Sequence, residues 1–253
     1  MAARSPERCF ESRPLAAWRE SSASVTIPPV TEAFSFLEPF KDIPGVRAGW
    51  VERIGGVDVA CDRDQAMRAL RPRHEQTVRR FAPGAVWWRA EQVHGADVAV
   101  VPGVRTVLAA DGLPVVPDVD GLLTAQAGVV LAIYVADCGA LWLADRRTGA
   151  IGLLHSGKKG TEAEILQCAL DRMARDFGTR AADVTAVLGP CIRPPHYEVD
   201  IAAEIGRQAD RAGLGNFIDC GLDTAADLSR FYSYRMELGK TGRMMAMLIR
   251  DST

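Results

Sequence analysis

The sequence predicts a mixed α/β domain, on two observations. Runs of five to eight residues rich in Val, Ile and Leu, bounded by turn residues, recur at 129–136, 150–154 and 184–188, which is how buried strands read. One longer stretch, 161–177, instead sets Ile165, Leu166, Ala169, Leu170, Met173 and Phe177 on one helical face. Strand runs interrupted by few helices, with no internal repeat or linker inside 42–253, complete the pattern.

Taken in order, residues 1–40 are rich in Ser, Pro, Glu and Arg and predict a mobile leader, docked through Phe34, Phe36 and Leu37. Residues 41–253 are expected to form one domain. Strands are predicted at 46–51 and 57–60, flanking a tight Gly55-Gly56 turn. A helix follows over 65–81, with Met67, Leu70, Val78 and Phe81 as core contacts and Pro72 breaking or beginning an element. Strands at 85–90 and 97–101 precede a Pro- and Gly-rich surface loop at 102–118. A further strand, 119–125, leads to the central stretch, 131–160. There the run 129–136 ends in Asp137-Cys138, an apolar segment and a polar turn follow, and 150–154 delivers His155 into Ser-Gly-Lys-Lys-Gly. For the helix 161–177, Thr161 and Glu164 form a capping box and Gly178 is the stop. A helix at 200–212 and a closing strand at 244–249 finish the chain.

Composition narrows the function. At 253 residues, with 48% apolar and 25% charged side chains, the chain is of ordinary globular make-up. A net charge of −2 offers no basic excess for nucleic acid or an anionic membrane. The longest apolar run, 129–136, falls far short of the roughly 20 residues that cross a bilayer. The N-terminus has no apolar signal core and carries Glu7 and Glu11, so it reads as neither a secretory nor a transit peptide. A cytoplasmic location is expected. Six cysteines without a CxxC pair are then free thiols, and only four histidines are available.

His94, Cys138 and His155 each follow a predicted strand and stand near Gly. Two imidazoles and a thiolate suit Zn²⁺, and three protein ligands leave one tetrahedral position open, the catalytic arrangement. The same residue types also serve as a packed thiol and two hydrogen-bonded histidines, and no short spacing enforces metal binding. Blue copper uses a similar donor set, but a multicopper oxidase needs more histidines than this chain has. Lys158 and Lys159, opening the strong helix, suit an anion such as phosphate, and equally a solvated pair. Arg53 is a second candidate anion contact. Asp137 is a candidate proton relay, or a buried hydrogen-bonded carboxylate. His196 reads as structural, and His74, in a polar helix, as a surface residue.

These pieces fall into a recognisable order: Gln92-Val93-His94-Gly95, Asp120-Gly121-Leu122-Leu123-Thr124, Ala136-Asp137-Cys138, His155-Ser156-Gly157 and Gly189-Pro190-Cys191-Ile192. Tyr197-Glu198-Val199, Phe231-Tyr232-Ser233-Tyr234-Arg235 and Thr241-Gly242-Arg243 follow. Over about 46–250 the chain resembles the laccase-domain (YfiH-like) family, long described as polyphenol oxidases. The resemblance implies a layered sandwich of mixed β-sheets with flanking helices. It implies a zinc-dependent purine nucleoside phosphorylase acting on adenosine, inosine and S-methyl-5′-thioadenosine, with adenosine deaminase activity. His94, Cys138 and His155 would carry the metal, Arg53 would face phosphate or substrate, and Lys159 would stand where the family has a loop Arg. The departures are Lys158 for the family's Trp, Lys159 for that Arg, Glu52 before Arg53, and the absence of the family's Asn-Arg pair in the next helix. Two rival readings accompany this one: a metal-independent hydrolase or transferase with Cys138 as nucleophile and His155 as base, and a non-catalytic binder of nucleotides or anions.

Overall fold

The computed structural model describes residues 34–251. Most of the expected leader lies outside that range. Its end, Ser35–Phe40, is a 3-10 turn with Phe36, Leu37 and Phe40 buried. The strands in chain order are β1 (Val46–Val51), β2 (Val86–Arg89), β3 (Val98–Val100), β4 (Val107–Leu108), β5 (Pro114–Val115) and β6 (Gly121–Thr124). There follow β7 (Val129–Val135), β8 (Gly139–Asp145), β9 (Ile151–Ser156), β10 (Val184–Leu188), β11 (Asn216–Asp219) and β12 (Met244–Arg250). The helices are α1 (Arg63–Phe81), α2 (Lys158–Glu162), α3 (Ile165–Phe177) and α4 (Ile201–Ala212).

Two mixed sheets carry the molecule, one ordered β1-β12-β7-β2 and the other β11-β10-β8-β9-β6-β3, with β4 and β5 as a small ribbon. The period of two along each strand explains why they stack. In β7, Leu131, Ile133 and Val135 face one way, toward Trp142, Ile151 and Leu153 of the second sheet. Val130, Ala132 and Tyr134 face the other way and meet Met67 and Val78 of α1. The outer face of the second sheet, with Leu141, Leu143 and Leu154, packs on Ile165, Leu166 and Met173 of α3 and Ile205 of α4. The result is a helix–sheet–sheet–helix sandwich with both sheets buried on both faces, so its strands read as continuous apolar runs. The chain changes sheets between β7 and β8, at residues 136–138, and that corner is where the site lies.

Several sequence expectations need correction. Residues 57–60 form no strand, because the amide of Ala60 turns back onto the Asp58 carboxylate at 3.1 Å and no partner strand lies alongside. Pro72 lies inside α1 without breaking it. It is exposed, so the carbonyl it leaves unpaired faces water while Leu70, His74 and Thr77 pack inward. The region 102–118 contains the β4–β5 ribbon and is not all loop. The helix expected at 161–177 is two helices, α2 and α3, separated by Glu164 at φ 57°. No capping box forms: Thr161 Oγ1 pairs with Ser156 Oγ at 2.8 Å, and Glu164 reaches Arg211 at 2.9 Å. Gly178 does end α3, at φ 67°. His74 is not on the surface: it is 1% exposed against Tyr134, with ring centroids 5.1 Å apart. Strand β11, four residues beside β10, was not foreseen.

Candidate metal centre and its cleft

His94, Cys138 and His155 converge. One donor atom from each lies within 4.8 Å of the other two; around a tetrahedral zinc the spacing closes to roughly 3.3–3.8 Å. Each arrives by a different route. Cys138 closes the β7–β8 corner, one residue before Gly139, which pairs with Ser156. Cys138 therefore stands beside Gly157, where a Cβ would come within 2.7 Å of its Sγ; glycine is required there. His155 lies in β9, not after it as the sequence suggested, because β9 runs on to Ser156 opposite β8. His94 follows β2 in a loop tied to β7 by Gln92: its side chain donates to the Tyr134 carbonyl at 2.6 Å and accepts the Tyr134 amide at 2.9 Å. Gln92, His94 and Asp137 have φ of 66°, 65° and 80°. A non-glycine residue held there costs about 1–3 kcal/mol and marks backbone fixed by its surroundings.

Asp120 organises the site and was missed as a functional residue. Pairing of Gly121 with Leu154 brings Asp120 beside His155, whose amide donates to the Asp120 carbonyl at 2.7 Å. Its fully buried carboxylate accepts the amides of His94 at 2.9 Å and Gly95 at 2.7 Å, and His155 Nδ1 at 2.7 Å. Burial pushes the carboxyl up, but these hydrogen bonds more than offset it and hold the group below the usual carboxylate range. With Nδ1 engaged by Asp120, Nε2 is the ring nitrogen left toward Cys138 to ligate a metal once it gives up its proton. Burial likewise opposes charge on Cys138, yet His155 and His94 hold its thiol below the ordinary range. Cys138 and Asp120 in turn hold His155 above its own. A thiolate beside two imidazoles, one braced by a carboxylate, is a donor set that fits a borderline-soft divalent ion.

The cluster opens into a cleft of about 670 Å³ whose walls include Tyr197, Tyr234, Lys158, Lys159, Arg235 and Arg243. Lys158 and Lys159 are exposed on this wall. The helix they open has only five residues, so the long dipole expected behind them is absent. Asp137 also lines the cleft, but its oxygens accept Thr224 Oγ1 at 2.8 Å and the Arg235 amide at 2.7 Å, which pins the corner. Arg53 is not in the wall: it donates to Glu237 at 2.6 Å and stacks on Tyr232 at 4.4 Å. The arginines that reach the cleft are Arg63, Arg235 and Arg243. His196 pairs with Asp223 at 2.7 Å, and Cys61, Cys138, Cys168, Cys191 and Cys220 are free thiols. No described helix is long and apolar enough to cross a membrane.

A family described as multi-copper polyphenol oxidoreductase laccase matches residues 56–206 and 199–251. The chain belongs to this laccase-domain family. A protein of Deinococcus radiodurans named purine nucleoside phosphorylase is 37% identical over 189 residues, covering 63% of this chain and 68% of that one. A Streptomyces griseus member named purine nucleoside phosphorylase ORF3 is 32% identical, covering 70% and 69%. The crystal structure of YlmD from Geobacillus stearothermophilus superposes with TM-score 0.70 at 24% identity, over 83% of this chain and 93% of that one. Bacillus licheniformis YfiH does so with TM-score 0.70 at 22% identity, over 83% and 94%. Within the laccase-domain family this chain has four histidines in all. His74 is in the core and His196 is on Asp223, so two are left at the cluster, too few for several coppers.

Proposed function

We propose that this chain is a zinc-dependent purine nucleoside phosphorylase. The observation that carries the reading is the meeting of His94, Cys138 and His155 at one wall of a cleft large enough for a nucleoside. The names of the relatives point to the same reaction class. Held by His94, Cys138 and His155, zinc would supply Lewis acidity. The chain's own groups do the rest. Tyr234, which lines the cleft and is 56% exposed, offers an aromatic face to a purine, beside Tyr197, whose ring carries the Arg235 guanidinium at 4.8 Å. Lys158 and Lys159 draw phosphate into the cleft. In phosphorolysis a phosphate oxygen bonds to C1′, the C1′–N9 bond breaks, and its electron pair leaves with the base, which takes up a proton. Asp137 holds the corner that presents Cys138, and Asp120 holds the His155 imidazole and the backbone amide of His94. Adenosine, inosine and S-methyl-5′-thioadenosine are the expected substrates. Adenosine deamination, in which water oxygen replaces the C6 amino group and ammonia leaves, belongs to the same reading.

The test is to incubate the purified, zinc-loaded chain with each nucleoside, with and without phosphate, and separate the products. Phosphate-dependent release of base, lost in Cys138→Ala, is the expected result; no base and no inosine above that variant would overturn the reading. The lowered thiol of Cys138 beside His155 favours one alternative, a metal-independent thiolate nucleophile. Turnover that survives removal of zinc by a chelator would select it.

A further inference from the structure

Two arginines in the cleft wall form no ion pair with a carboxylate among the described residues. Arg63, the first residue of α1, donates Nη2 to the backbone carbonyl of Glu91 at 3.0 Å, not to its carboxylate. That carboxylate accepts the Asp118 amide at 2.9 Å. Arg243, just before β12, donates Nη1 to its own strand's approach, the carbonyls of Thr241 at 3.0 Å and Gly242 at 2.8 Å. Its guanidinium lies 5.9 Å from the Tyr234 ring. The negative group it feels most is the Cys138 thiolate, ahead of Asp137, whose oxygens are already taken by Thr224 and the Arg235 amide. Both guanidiniums line the same cleft, and burial together with the neighbouring charge of Arg63 presses Arg243 below the ordinary arginine range. Two cations whose side-chain hydrogen bonds go to carbonyls repel, and an anion between them relieves the repulsion. Arginine forks suit tetrahedral oxyanions better than the point charges of Lys158 and Lys159, which are exposed at a five-residue helix.

We propose that Arg63 and Arg243 together form the seat for a tetrahedral oxyanion in this cleft, next to the His94–Cys138–His155 cluster. The proposal rests on the phosphorylase reading for the identity of the oxyanion but not for its position. Inorganic phosphate and the 5′-phosphate of a mononucleotide share the chemistry. Lys158 and Lys159 then gather the anion and the arginines fix its orientation.

The experiment is calorimetric titration of the zinc-loaded full chain with inorganic phosphate, with adenosine 5′-monophosphate and with adenosine. Wild type is compared with Arg63→Gln, Arg243→Lys and Lys159→Ala. Arg63 is exposed in the first turn of α1, so its variant keeps the fold, and Arg243→Lys keeps the charge while removing the fork. The phosphate Kd should rise roughly tenfold in both arginine variants, and less in Lys159→Ala, with adenosine unmoved. If the monophosphate responds and inorganic phosphate does not, the seat stands and holds the substrate's own phosphate. If neither anion responds in either folded variant, the seat is wrong. Anion binding that follows the arginines without any base release would sink the phosphorylase and leave the seat. Base release whose phosphate KM ignores both arginines would do the reverse.

Discussion

Asp120 joins three backbone and side-chain donors at one buried carboxylate, and the whole donor geometry depends on it. Asp120→Asn keeps the shape but replaces one acceptor oxygen with an amide that cannot take the His94 or Gly95 N–H at that position. Loss of such a support lowers metal affinity about 10- to 100-fold. Competition with a coloured chelator should show zinc lost at that much lower chelator concentration, while wild-type retention in Asp120→Asn would refute the role. His74 is a second residue with a measurable signature. Burial and the Arg89 guanidinium push it down to about 3, and neither ring nitrogen has a hydrogen-bond partner of good geometry. The unfolded chain takes up that proton near pH 6.5 and the folded one does not. Its contribution is therefore intact above pH 6.5 and is lost as pH falls toward 3, by about 1.4 kcal/mol per unit. Urea midpoints should fall less steeply between pH 7 and pH 4 in His74→Leu than in wild type. Parallel slopes would contradict the assignment.

At the scale of elements, period and length made the long buried strands legible. The runs at 129–136, 150–154 and 184–188 become β7, β9 and β10 to within a residue or two. The same reasoning failed where tertiary context decides. The apolar stripe of 161–177 is real, but Glu164, left-handed at φ 57°, separates α2, whose Lys158 and Lys159 line the cleft, from α3, which packs on the sheet. Strand β11 is too short to show a period, and Val57 and Val59 alternate without a partner. Pro72 shows the opposite lesson, a strong local breaker overridden by packing. A proline in a helix interior costs about 3 kcal/mol relative to alanine, and at an exposed position little opposes its removal. Pro72→Ala should raise stability by roughly 1–3 kcal/mol in urea unfolding. An unchanged or lower midpoint would mean the helix is strained elsewhere.

Over the whole molecule, the donors were legible as residue types and their meeting was not. His94 and Cys138 announce themselves at strand ends, and His155 only less so. What brings them together is the switch of sheets at 136–138, the pairing of Gly139 with Ser156, and the Gln92 clamp on Tyr134. None of these is local. Asp120 looks like an ordinary turn aspartate until Gly121 is paired with Leu154, and Arg63 like a solvated arginine until the fold brings Arg243 to the same cleft. Arg53, singled out beside Gly-Gly, is instead engaged with Glu237 and Tyr232.

The most direct test of that convergence is X-ray absorption at the zinc edge of the protein, dialysed after zinc loading. One sulfur at about 2.3 Å with nitrogen or oxygen neighbours at about 2.0–2.1 Å, the sulfur vanishing in Cys138→Ala, is the predicted spectrum. Retained zinc with no sulfur neighbour, or no zinc retained, would contradict it.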